Sequence, residues 1–226
     1  MINIQPVSPQ DIHLDGSLEV HSVFPTLQGE GPFCGQRAVF VRLEKCNLCC
    51  PNCDTQYTLP TPNRMSVPDI FDEINQYGFD LVVITGGEPF RQNISPLCQI
   101  LIDSCYQVQI ESNGVFKVPA ILPDDVVVCV SPKTAKIHPT MRSRANYFKY
   151  VARHDNIMAD GLPSTALGHP ADPCLARPPE AAPVYLQPQD DKDPAVNALN
   201  QDAVVKSCME HGFILQLQVH KIIQVD

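Results

Sequence analysis

Four cysteines fall within eight positions, at 46, 49, 50 and 53. Cys46, Cys50 and Cys53 take the spacing C-x₃-C-x₂-C in the run Cys46-Asn47-Leu48-Cys49-Cys50-Pro51-Asn52-Cys53-Asp54-Thr55. Thiolate sulfur is a soft ligand suited to zinc, copper(I) or iron–sulfur clusters. A structural zinc site takes four protein ligands, and a complete four-iron cluster also takes four. Three thiolates leave one metal position for something else to fill. The spacing alone leaves zinc and iron both open.

The elements that must position this loop read as alternating strands and helices. Ala38–Leu43 is apolar almost throughout, as in a strand buried on both faces, and it runs straight into the cysteines. Arg42 interrupts it; arginine is rarely buried unpaired, so it should face an anionic partner or a polar cavity. Ser66-Val67-Pro68-Asp69 resembles a capping box. Val67, Ile70, Phe71 and Ile74 then repeat at helical spacing up to Gly78. Further strands are expected at 81–84, 107–111, 126–130, 147–151, 184–186 and 213–219, with helices at 94–105 and about 194–211. Leu18–Phe24 alternates partly and reads as a short strand.

This pattern predicts a parallel α/β fold. The helices thin out in the middle, so a complete eight-fold barrel is not expected. The count is about six core parallel strands and about three main helices, an abbreviated, partly open barrel. The chain reads as one domain, 1–226, with an irregular proline-rich excursion at about 152–183.

Function in α/β barrels gathers at the carboxyl ends of the strands. Here the cysteine loop, Thr85-Gly86-Gly87-Glu88-Pro89, Ser112-Asn113-Gly114, Ser131-Pro132-Lys133, Gln187-Pro188 and His220 all follow strands. One rim therefore collects nearly every polar motif. Thr26-Leu27-Gln28-Gly29-Glu30-Gly31-Pro32 reads as a loop that brings backbone close to a ligand, or alone as a plain turn.

The chain has 226 residues, 44% of them hydrophobic, enough for a substantial core. A net charge of −9 sets a nucleic-acid partner aside. No apolar run is long enough to span a bilayer, and Met1 to Gln10 lacks a basic stretch leading into an apolar one. The ten cysteines then read as those of a reducing cytoplasm, metal-binding or catalytic where they cluster. Cys98, Cys105, Cys129 and Cys208 lie in apolar-periodic stretches and read as buried packing residues.

With the GGEP turn one strand after it, the cysteine loop resembles that of the radical S-adenosylmethionine superfamily. In that superfamily the open iron of a [4Fe-4S] cluster takes the amino and carboxylate groups of S-adenosylmethionine. A narrower likeness covers almost the whole chain. Thr26–Gly31, Phe40–Leu43, Cys53–Thr55, Val130–Lys133, Leu186–Pro188 and Leu217–Lys221 resemble, in order, the 7-carboxy-7-deazaguanine synthase family. That resemblance implies a homodimeric carbon–nitrogen lyase of queuosine and 7-deazapurine biosynthesis. Its substrate would be 6-carboxy-5,6,7,8-tetrahydropterin, with Mg²⁺ as a further cofactor and flavodoxin or ferredoxin as electron donor.

The resemblance also implies roles. Cys46, Cys50 and Cys53 would hold the cluster and Thr55 the magnesium, no catalytic residue acting beyond cluster and cofactor. Asn52, Cys53, Asp54, Gly87, Glu88, Ser112, Ser131, Pro132, Lys133 and Gln187 would bind S-adenosylmethionine. Leu27, Gln28, Gly29, Glu30, Arg42, Thr85, His220 and the terminal Asp226 would bind substrate. Arg42 can fork onto a carboxylate, Glu30 can pair the guanidine-like edge of a pterin, and Thr55 offers the hard oxygen magnesium prefers. Five positions depart from the family pattern: Lys45 replaces a glycine, Glu44 is atypical, Asn52 stands where an aromatic residue is common, Asp226 makes an acidic end, and Cys49 is an extra thiol expected to stand aside. Two rivals share part of the pattern. An activating enzyme for a glycyl-radical protein would not need Gln28-Gly29-Glu30, Thr55 or His220-Lys221. A zinc-binding interaction module would leave the GGEP and SPK turns unexplained.

Overall fold

A computed structural model describes residues 3, 5–53, 55 and 63–225. Its strands are β1 (Leu18–Leu27), β2 (Arg37–Leu43), β3 (Asn63–Met65), β4 (Leu81–Gly86), β5 (Gln107–Ser112), β6 (Val127–Val130), β7 (Tyr147–Ala152), β8 (Val184–Pro188) and β9 (Ile214–Leu215). The helices are α1 (Val67–Asn75), α2 (Ser95–Asp103), α3 (Pro139–Arg144), α4 (Pro194–His211) and α5 (Val219–Ile223). All nine strands form one sheet in the order β3-β1-β2-β4-β5-β6-β7-β8-β9. From β2 through β9 neighbours run parallel. β1 lies antiparallel to β2, and β3 to β1. The sheet's two ends, β3 and β9, lie apart in that order, so the described sheet is open.

The parallel strands follow the apolar runs because both their faces are covered. Val41, Ile84, Ile110, Val128, Phe148 and Leu186 are sealed from water, packed with Ile70, Ile74, Leu97, Leu101 and Val204 from α1, α2 and α4. Each such side chain contributes roughly 1.5–3 kcal/mol by leaving water. The helix ends obey local chemistry. The Ser66 hydroxyl accepts the Asp69 amide at 3.2 Å and donates to the Asp69 carboxylate at 2.6 Å. At α4, the Asp193 carboxylate accepts from the Ala195 and Val196 amides, and Gly212 closes the helix at φ 74°. Among the described residues no helix is long and apolar enough to cross a membrane.

Some expectations need correction. The expected strand over 213–219 is only Ile214–Leu215, and His220 belongs to α5. The Gln216 amide still donates to the Leu186 carbonyl of β8 at 2.9 Å, and beyond it the chain leaves the sheet. Gln216 donates to the Gly29 carbonyl at 3.1 Å and accepts from the Gly31 amide. Gln218 donates to Glu30 at 3.0 Å. β1 runs to Leu27, three residues beyond its expected end, and β3 and α3 were not anticipated. Cys98, Cys129 and Cys208 are buried, but Cys105 is exposed in the turn after α2, at φ 64°. Residues 153–183 hold no helix or strand and are anchored by buried Leu162, Ala166 and Leu175. This excursion reaches the cysteine loop, where the Asn52 amide donates to the Leu167 carbonyl at 3.0 Å.

Candidate functional site

The carboxyl ends of β2, β4, β5, β6, β7 and β8 open on one cavity of about 380 Å³, within the size range of small-ligand pockets. Cys46, Cys50 and Cys53 line one side of it. Burial pushes the Cys46 thiol up to about 12, and the nearby Glu88, Cys50 and Cys53 charges add to the effect although the Leu48 amide opposes it. Burial likewise pushes Cys50 up to about 11, against the pull of Lys133. Thiols so placed keep their protons until a metal displaces them. Three thiols on one wall supply three of the four ligands that a zinc ion or a four-iron cluster takes. Cys49 is absent from the wall and donates instead to the Asn3 carbonyl at 3.5 Å.

The turn after β4 fixes where the cysteine loop begins. The Gly87 amide donates to the Leu43 carbonyl at 3.0 Å and the Glu88 amide to the Lys45 carbonyl at 3.1 Å. Gly86 has φ 110°, and a Cβ on it would lie 2.3 Å from the Leu43 nitrogen. A Cβ on Gly87 would lie 1.6 Å from the Lys45 oxygen. Only glycine permits this approach. Lys45 itself takes φ 63°, the left-handed backbone a glycine adopts without strain. It is held there by an ion pair of 2.6 Å to Glu19, which also meets the buried Arg91.

Glu88 is fully buried and is not part of the cavity wall. Its carboxylate accepts from the Ser112 hydroxyl at 2.7 Å, the Asn113 amide at 2.7 Å and the Phe90 amide at 3.1 Å. Burial raises it to about 7, despite those three donors. It ties the turn to the end of β5.

Ser112, Ser131, Lys133, Gln187 and Asn52 also line the wall, with Gly87. Pro132 does not, but its ring fixes the backbone between the two SPK residues that do. The Lys133 ammonium donates to the Ser131 carbonyl at 2.9 Å and hydroxyl at 2.5 Å. Burial and the Lys149 charge pull Lys133 below its ordinary value. Gln187 is buried, and its Oε1 has no hydrogen-bond partner among the described residues. An orphaned acceptor of this kind costs about 1–3 kcal/mol, which a ligand donor would recover. Buried cations and an unused acceptor beside three thiols fit a ligand carrying both carboxylate and amine groups.

The far wall comes from the β1–β2 loop and the C-terminal segment. Leu27, Gln28, Glu30, Arg42, Thr85 and His220 all line it, and Thr55 lines the cavity beside the cysteines. Gly29 does not reach the cavity; a Cβ there would lie 2.0 Å from His220 Nδ1, so Gly29 is the seat for that ring. The Arg42 guanidinium lies 4.9 Å over the Phe24 ring. Asp54 and Asp226 lie outside the described residues.

Glu111 and Lys149 are among the wall residues that escaped the sequence reading. Lys149 pairs closely with Glu30 and lies 3.6 Å from Glu111. Burial alone would lower Lys149, but Glu111 and Glu30 outweigh it and hold the group well above its ordinary value. Burial opposes ionisation of Glu30 too, and Lys149 reverses that. The signal was a lysine inside the otherwise apolar run Tyr147-Phe148-Lys149-Tyr150-Val151.

No protein-family model matches the chain. Among curated proteins, it is 40% identical over 222 residues to the 7-carboxy-7-deazaguanine synthase of Rhodospirillum rubrum, covering 92% of this chain and 93% of that protein. It is 34% identical over 226 residues to the 7-carboxy-7-deazaguanine synthase of Rickettsia prowazekii, covering 94% and 91%. The crystal structure of QueE from Escherichia coli shares the fold at a TM-score of 0.67, with 24% identity over 89% of this chain and 94% of that one.

Proposed function

The chain belongs to the 7-carboxy-7-deazaguanine synthase family, and from that premise we infer how its own residues serve the reaction. It is a radical S-adenosylmethionine enzyme that converts 6-carboxy-5,6,7,8-tetrahydropterin to 7-carboxy-7-deazaguanine by ring contraction with loss of ammonia. It uses a [4Fe-4S] cluster and S-adenosylmethionine. When bound, these supply the radical that takes hydrogen from C6 of the substrate; the protein orients the reactants and excludes competing reactions. The observation that carries the reading is the single cavity on which the three thiols, the SPK turn and the Gln28–Glu30 loop converge.

In this reading Cys46, Cys50 and Cys53 hold the cluster. Lys133 and Ser131 hold the methionine carboxylate, and the unused Gln187 oxygen accepts from the cofactor. Glu88 acts through Ser112 and Asn113, holding the turn and the β5 end as one piece. Arg42, which no carboxylate of the described residues engages, forks onto the substrate carboxylate. Glu30 accepts from the donors of the pterin ring. Thr55 would give its oxygen to a magnesium ion, which would supply a hard cation for the oxygens of the substrate. The C-terminal segment, tied to the β1–β2 loop through Gln216 and Gln218, shields this side from water.

The remaining parts of the proposal are a single domain, a homodimer, a flavodoxin or ferredoxin as reductant, and a cytoplasmic setting. Exposed Leu199 and Met209 on α4 support a face covered by a second copy. Anaerobic reconstitution with iron and sulfide tests the ligand set. Wild type should bind four irons per chain and shift its spectrum on adding S-adenosylmethionine. Cys50→Ala should do neither; a full, cofactor-responsive cluster in that variant would refute the assignment.

A further inference from the structure

The cavity floor carries a charge network that the reading above leaves without a role. Lys149 sits in the middle of β7, a strand buried along its whole length. Its ammonium bridges Glu30 and Glu111. Other side chains also donate to both carboxylates. Glu111 accepts from Gln28 at 3.3 Å, Gln109 at 3.1 Å and Thr85 at 3.5 Å, and Glu30 accepts from Gln218 at 3.0 Å. An ammonium has three N–H donors. One is hydrogen-bonded to Glu30, Glu111 at 3.6 Å is an ion-pair partner beyond hydrogen-bond distance, and Lys149 lines the cavity, which leaves N–H donors for a ligand.

We infer that Lys149 is a specificity-determining residue, which with Glu30 reads the amide edge of the pterin ring. The inference rests on the proposed substrate class. That edge presents a 2-amino donor, an N3–H donor and a 4-oxo acceptor side by side. Glu30, an ionised carboxylate, only accepts, so it matches the two donors. Lys149 beside it only donates, so it matches the 4-oxo group. A 2,4-diamino ring keeps the 2-amino donor but has no N3–H, so Glu30 loses one of its two donors there. At Lys149 its 4-amino group sets donor against donor, in a buried place where an unmatched polar group is costly.

The same geometry argues against Lys149 as the anchor of the substrate carboxylate. Two carboxylates already neutralise it, leaving that corner net negative. Arg42, on the same cavity wall, carries a charge that no carboxylate of the described residues neutralises.

The test is equilibrium dialysis under anaerobic conditions, with protein holding its cluster and S-adenosylmethionine. The probes are 6-carboxytetrahydropterin and its 2,4-diamino analogue. Wild type should prefer the 4-oxo ring at least tenfold. Lys149→Met should lose tenfold or more for the 4-oxo ring and less than threefold for the analogue, narrowing the preference by the share that Lys149 supplies and leaving the share that Glu30 supplies. Lys149→Arg, which keeps charge and donors, should restore much of it. Equal wild-type affinity for both rings would overturn the inference without any variant. Equal weakening of both by Lys149→Met would mark a merely structural lysine and overturn it too. Failure of wild type to bind either ring would overturn the substrate reading itself, and the inference with it.

Discussion

Gly87→Ala isolates the contact that seats the cysteine loop. Gly87 does not need left-handed backbone; its constraint is space alone. An added Cβ would lie 1.6 Å from the Lys45 oxygen, 2.3 Å from its carbonyl carbon and 3.1 Å from the Cys46 nitrogen. These are backbone atoms, which cannot swing aside. Reaching even a 3.0 Å contact needs a shift of about 1.4 Å in the residue just before the first thiol. Overpacking of this kind costs about 1–3 kcal/mol, and a displacement of about 1 Å at a reacting centre costs about 100-fold in rate. The expected result is a urea midpoint lowered to match that cost, reduced iron uptake on reconstitution, and turnover down about 100-fold. Gly78→Ala is the control. Gly78 has φ 61° with nothing within 4 Å, so alanine there should cost about 1–2 kcal/mol of strain and leave turnover unchanged. A Gly87→Ala protein with full iron content and wild-type turnover would refute the reasoning.

Other perturbations follow from the same geometry. Glu19→Gln leaves Arg91 buried without its counter-charge, so urea unfolding should show a loss of about 3–5 kcal/mol near neutral pH. Burial opposes ionisation of Glu19, but Lys45 and Arg91 together hold its carboxyl below the usual 4.5. Its stabilisation is therefore complete above about pH 4.5 and lost as pH falls through the lower folded value; that part of the acid slope should vanish in Glu19→Gln. Cys49→Ala should take up iron and respond to S-adenosylmethionine as wild type does, because its sulfur turns to Asn3. Thr55→Ala should keep the cluster and raise the magnesium concentration needed for half-maximal turnover at least tenfold.

Much of the architecture could be read from residue order because parallel strands buried on both faces write continuous apolar runs. Val39 to Leu43, Leu81 to Ile84 and Val126 to Val130 announce themselves that way. Their ends are marked by the polar residues that become the cavity wall. The C-terminal segment misled for a physical reason. Phe213-Ile214-Leu215-Gln216-Leu217-Gln218-Val219 alternates like a strand, yet the last amide to meet β8 is that of Gln216, and the Gln216 and Gln218 side chains bond across to Gly29, Gly31 and Glu30. Lys149 was hidden by the same apolar run that exposed β7. Its meaning depends on Glu30 and Glu111, 119 and 38 residues away in sequence. Glu88 shows the converse: the motif pointed to a ligand contact, while the carboxylate is buried against Ser112 and Asn113.

The central claim is the reaction, and product formation tests it most directly. Reconstituted protein is incubated anaerobically with 6-carboxytetrahydropterin, S-adenosylmethionine, magnesium and a reductant, and the mixture is resolved by mass spectrometry. The account predicts 7-carboxy-7-deazaguanine and released ammonia, with S-adenosylmethionine not consumed in proportion to product. Substrate unchanged in the presence of an intact, cofactor-responsive cluster would contradict it.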